Sequence, residues 1–211
     1  MNLAVITPIA EKAAKAALKK LIAYAKSDLT PGAWRVAGTW ASTPIEGRTL
    51  WRIAVDQRDP LRLVNEQDGI SYILPLREFD SDGGSIPEVA RKAAQAAGMD
   101  LGRWAYPVAY LIHDGLYACA KIVRKTPSGA HLVDVERKWA DAILCLSLQA
   151  ANATGRKPAI RADAWAITDA VRHFGWIPWR QHRGAKTPGY VFFEWANVLS
   201  GLNEAKQQRK D

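Results

Sequence analysis

Apolar and polar positions alternate most clearly at Trp51, Ile53 and Val55, as a strand buried on one face requires, and the pattern runs over Arg48–Asp56. Two more strands are predicted at Leu61–Asn65 and Ile70–Leu76, with Asp68-Gly69 as the turn that pairs them into a hairpin. The preceding stretch, residues 28–47, is punctuated by Pro and Gly and reads as a linker holding one short strand, Trp34–Thr39. Elsewhere the period becomes helical. Ile9, Ala13, Ala17, Leu18, Leu21, Ile22 and Ala25 form one stripe behind Thr7 as N-cap and Pro8 at the first helical position, with lysines opposite. Glu88–Gly98 reads as a short helix.

From Pro107 a central helix is predicted over Val108–Val123. Val108, Ile112, Leu116, Cys119 and Val123 share one side, and Tyr110, His113, Asp114, Tyr117 and Lys121 share the other. Thr126–Gly129 breaks the chain, Asp134 is placed to cap a helix running to Asn152, and another helix spans Ala162–His173 before Gly175. Tyr190–Leu202 is a final apolar element, followed by a polar tail. These patterns predict an α+β fold, a mostly helical domain with a small antiparallel sheet drawn from residues 34–76. Its divisions are an N-terminal amphipathic helix (1–27), a core (28–176) and a C-terminal extension (177–211).

Composition narrows the function. With 211 residues and 48% hydrophobic content the chain can bury a sizeable core. The net charge of +8 is spread over the first helix, the middle (Lys121, Arg124, Lys125) and a late region, and no nucleic-acid motif accompanies it, so nucleic acid is not indicated. Cys119 and Cys145 make neither a disulfide framework nor a zinc set and read as buried thiols of a reducing compartment. No signal peptide and no apolar run near the ~20 residues of a membrane span is present, which predicts a soluble protein made in the cytoplasm.

The chemistry concentrates between Phe79 and Asp141. His113 and Tyr117 lie one helical turn apart and can face one neighbour, while Asp114 is offset by about 100°. Two uses follow: His113 acts as a general base while Asp114 ligates a metal, or both ligate. Asp80 and Asp82 could add carboxylates, and Gly83 and Gly84 carbonyl oxygens, for a divalent cation: calcium, magnesium or zinc. Asp141 on the next helix could orient the second nitrogen of His113. The plainer reading is a tight turn at 82–85, an interhelix histidine and an Arg137–Asp141 ion pair.

These residues carry two resemblances. F-D-S-D-G-G-S-I-P (79–87), H-D-G-L-Y (113–117), R-K-W-A-D (137–141) and A-V-R-H-F-G (170–175) resemble the ordered motifs of a phage-encoded family of uncharacterised function, whose pattern runs F-x-T-D-G-x-S-I-P, H-D-x-L-Y, R-x-x-A-D, A-V-R-x-F-G. Ser81 replaces that Thr and keeps the hydroxyl. The resemblance spans about residues 70–176 and implies a phage or prophage origin without an activity. A more limited one, at the level of the site, is to the secreted phospholipases A2. There a glycine calcium loop precedes H-D-x-x-Y and a second helix brings a supporting Asp; Gly83-Gly84, His113-Asp114, Tyr117 and Asp141 are similar, although that family's cysteines are missing. An HD-type phosphohydrolase would require a metal histidine upstream, and His113 is the first His.

Two functions follow as expectations. One is a virion- or tail-associated component that meets other phage proteins through its N-terminal helix and C-terminal extension, made in the host cytoplasm and carried in the virion. The other is a metal-assisted hydrolase, esterase- or phospholipase-like or a phosphohydrolase, with His113 as base, Asp141 and Tyr117 in support, and Asp82, Asp114, Gly83 and Gly84 around the cation.

Overall fold

The computed structural model describes residues 33–83, 104, 106–152, 161–174 and 190–196. The helices expected at 9–25 and 88–98 lie outside them. Within the described residues the chain is built mainly of antiparallel strands, so the expectation of a mostly helical domain is overturned.

Strand β1 (Trp34–Ala37), β4 (Arg62–Asn65) and β5 (Ile70–Ile73) pair antiparallel in sequence order of contact, with Trp34 opposite Asn65 and Leu63 opposite Tyr72. The predicted hairpin is therefore present, and Gly69 supplies its turn with φ of 61°. β7 (Lys121–Thr126) and β8 (Gly129–Asp134) extend this sheet beyond β5, and β9 (Ala151–Asn152) closes its other edge in parallel with β1. A second sheet has the order β10 (Tyr190–Phe192), β6 (Leu76–Ser81), β3 (Trp51–Val55), β2 (Trp40–Pro44), all antiparallel. In β3 the alternation is as read, with Ile53 and Val55 buried between exposed Arg52 and Ala54.

The principal correction is at the central helix. Helix α1 (Pro107–Cys119) stops where Ala120 takes a left-handed conformation, φ 51° and ψ 30°, and its N–H still bonds to Leu116 O. The chain then turns into the β7–β8 hairpin, so Val123 and Lys121 are strand residues. Ile122 and Val133 face one side and Val123 and Leu132 the other, a period of two that buries both faces. Asp134 ends β8 in an ion pair with Lys121 instead of capping a helix. Helix α2 (Arg137–Gln149) is correspondingly shorter than expected, and its N-cap residue is Glu136.

The helices cover the core. α1 packs against β6 of one sheet and β1 of the other, and α2 packs on α1. Gly115 is the point of closest approach: a Cβ there would lie 2.5 Å from Leu74 Cδ2 in the fully buried link between β5 and β6. α3 (Arg161–Phe174) buries Ala164, Ile167, Thr168 and Val171 along one stripe and lies on α2. Phe193 and Ala196, just after β10, are also buried, so this part of the C-terminal extension contributes to the core. Both cysteines are free, buried and helical, as anticipated.

Candidate functional site

The packing of α1 on β6 and α2 brings four predicted residues together. Asp141, 1% exposed, places Oδ1 at 2.8 Å from the Tyr117 hydroxyl, which donates to it, and 3.4 Å from His113 Nε2. The His113 and Tyr117 rings lie against each other with centroids 4.1 Å apart, the one-turn spacing read from the sequence. Both rings are buried, at 6% and 5% exposure. The other ring nitrogen, Nδ1, is 3.8 Å from Asp114 Oδ1, too long for a direct hydrogen bond but within ion-pair distance.

Asp114 is fixed by Ser81, whose sequence signature is a Ser in place of the Thr of the resembled motif. Ser81, 2% exposed at the end of β6, donates to Asp114 Oδ2 at 2.5 Å and accepts from the Gly83 N–H at 3.0 Å. The available signal was a hydroxyl two residues ahead of a turn glycine, the spacing of a side chain that bonds its own turn. Gly83 has φ of 76°, and its carbonyl accepts from Trp104 N–H at 3.0 Å. Glycine is required there twice over, because a Cβ would sit 2.6 Å from the Trp104 ring. Trp104 in turn meets Trp51 edge to face, with centroids 5.4 Å apart.

The electrostatics follow from this enclosure. Burial opposes a charge on His113, but Asp114 and Asp141 outweigh it and hold the imidazole above its ordinary range. Burial, joined by the negative charge of Asp82, raises Asp114 against the opposing influence of His113 and Ser81. Burial and the Asp141 charge likewise raise Tyr117, which stays a neutral donor.

The remaining predicted residues fall as follows. Asp80 points away from the cluster into an ion pair with Arg52 across the β3–β6 ladder. Asp82 is near enough to act on Asp114, and Gly84 lies outside the described residues. Arg137 donates to the carbonyl of Arg172 at 2.9 Å, tying α2 to α3. Among the described residues no three His, Cys, Asp or Glu side chains form a metal-binding group. Two carboxylates, Asp82 and Asp114, together with the Gly83 region are what this side offers a hard cation. No helix among the described residues is long and apolar enough to cross a membrane. Comparison of the chain with family models, curated proteins and solved structures returned no match.

Proposed function

We propose that the chain is a phage- or prophage-encoded hydrolase in which His113 is the general base. The observation that carries this reading is the shared use of Asp141: one buried carboxylate on α2 accepts from Tyr117 and faces Nε2 of His113, leaving Nδ1 directed toward Asp114. A histidine held at one nitrogen by a buried carboxylate is oriented to take a proton at the other. In the reaction, Nδ1 removes a proton from water as its oxygen attacks an ester carbonyl or phosphoryl centre. The ester bond then breaks, and the imidazolium returns the proton to the departing oxygen. Asp141 keeps the ring in place and balances its charge, and Tyr117 holds Asp141. Asp114 and Asp82 would hold a divalent cation, whose chemistry when bound is Lewis-acid polarisation of the substrate oxygen.

A second reading rests on burial. His113, Tyr117 and Asp141 are all less than a tenth exposed, as members of a polar centre that joins helices would be. In that reading the chain is a virion or tail component meeting other phage proteins through its terminal segments. Hydrolysis of short-chain esters, phospholipid vesicles and phosphodiesters, each with calcium, magnesium, zinc or chelator, separates the two. The hydrolase reading expects cation-dependent turnover that His113→Gln abolishes in a variant that still unfolds cooperatively. Turnover that never exceeds that of His113→Gln, with every substrate and cation, rejects it.

A further inference from the structure

The basic residues at the middle of the chain have a consequence independent of the His113 cluster. Arg124 on β7 stands directly opposite His131 on β8, and the same cross-strand row continues through Tyr72, Leu63 and Val36. Residues in one row share one face of a sheet, so both basic side chains lie on the face that carries the core. The other half-buried arginines of the described residues are accounted for. Arg35 pairs with Glu66, Arg62 with Asp59, Arg137 donates to a carbonyl, and Arg172 stacks over Trp165. Arg124 has no such partner among the described residues. Its Nε is buried and unbonded, and so is His131 Nδ1.

Cross-strand neighbours have Cβ atoms about 4.5–5.5 Å apart, close enough for one small group to touch both. A buried guanidinium N–H without an acceptor costs free energy that an anionic acceptor restores. Burial and the positive charge of Arg124 also hold His131 below its ordinary range, and an anion between them would relieve this. Lys125 on the opposite face adds to the positive field without reaching the pair.

We propose that Arg124 and His131 form a binding site for a phosphate-type oxyanion, with Arg124 as the charged donor and His131 as its second contact. The chemistry is that of a phosphate monoester or inorganic phosphate; a planar guanidinium suits it better than an ammonium would.

The test is NMR of the full chain titrated with inorganic phosphate, following the Arg124 Nε–H and the His131 ring. Both resonances should shift together and saturate. Arg124→Gln should weaken binding by about tenfold or more, the loss of a hydrogen bond to a charged group, and His131→Gln should weaken it independently. Lys125→Gln should leave it nearly unchanged. A parallel arm measures binding to vesicles containing phosphatidic acid with phosphate as competitor. Arg124-dependent binding to vesicles identifies a lipid headgroup as the source, and Arg124-dependent binding to phosphate alone identifies a soluble ligand; either upholds the site. Shifts that do not saturate, equal weakening by Lys125→Gln, or an ordered water alone between the two side chains would overturn it.

Discussion

Replacing Asp141 with Asn probes the polar centre directly, because the substitution keeps the shape of the side chain and removes its charge. Oδ1 of Asp141 accepts from Tyr117 at 2.8 Å and faces His113 Nε2 at 3.4 Å. An amide oxygen can keep the tyrosine bond, but a neutral bond is weaker than one to a carboxylate by about 1 kcal/mol. The amide also brings N–H groups into a site that already supplies donors, and an unmatched buried donor costs about 1–3 kcal/mol. Together these give a loss of about 2–4 kcal/mol. For a chain of this size the melting temperature falls about 2–4 °C per kcal/mol, so a drop of about 4–16 °C is expected. Thermal unfolding followed by circular dichroism, in chelator, measures it. A second readout comes from pH. His113 has an ordinary value of 6.5 and is raised in the folded chain. The folded state therefore binds this proton more tightly than the unfolded state. The resulting stabilisation is complete below pH 6.5 and is lost as pH rises through the folded value. In Asp141→Asn one of the two carboxylates that raise His113 is gone, and this decline should be shallower. A variant melting within about one degree of the parent, with an unaltered decline, would refute the reasoning.

Asp114→Asn should be milder, since an amide oxygen can still accept from Ser81; its melting temperature should fall by less than that of Asp141→Asn. Gly83→Ala should cost about 1–3 kcal/mol in urea unfolding, because its Cβ meets the Trp104 ring at 2.6 Å and its φ of 76° disfavours a side chain. Burial pushes the Cys119 thiol up to about 12, so an alkylating reagent at neutral pH should label it only at the rate of unfolding. Prompt labelling in native buffer would contradict its burial.

What was legible in the sequence is what local pattern determines. The alternation at Trp51, Ile53 and Val55 and the Asp68-Gly69 turn specify their strands without reference to distant residues. The pairing of His113 with Tyr117 and the support from Asp141 follow from helix geometry and from two helices in succession. The over-long central helix shows where local pattern misleads. Cys119 and Val123 fit a helical stripe, but Ile122 and Val123 are adjacent apolar residues, each buried on a different face of the β7–β8 hairpin. The left-handed turn at Ala120 that separates helix from strand carries no glycine to announce it. The bond from Ser81 to Asp114 was hidden too, unlike its local bond with the Gly83 N–H. The bond to Asp114 depends on β6 lying beside α1, a contact between segments that no short window contains.

The position of β6 also bears on when the molecule becomes complete. The strand that carries Ser81 lies between β3, made before it, and β10, made far later, and Phe193 N–H bonds back to the carbonyl of Pro75. Closing so long a loop is slow compared with forming hairpins. On the ribosome β3 and β6 can pair early, and α1 and α2 can bring His113 to Asp141 soon afterwards. Until residues 190–196 emerge, the edge of β6 from Leu76 to Phe79 is left without its pairing strand. A chain halted before β10 would expose an unpaired strand edge beside the polar centre, the kind of surface that recruits another chain. Maturation of this site is thus tied to the last described strand, and a nascent copy holds its residues before it holds its shape.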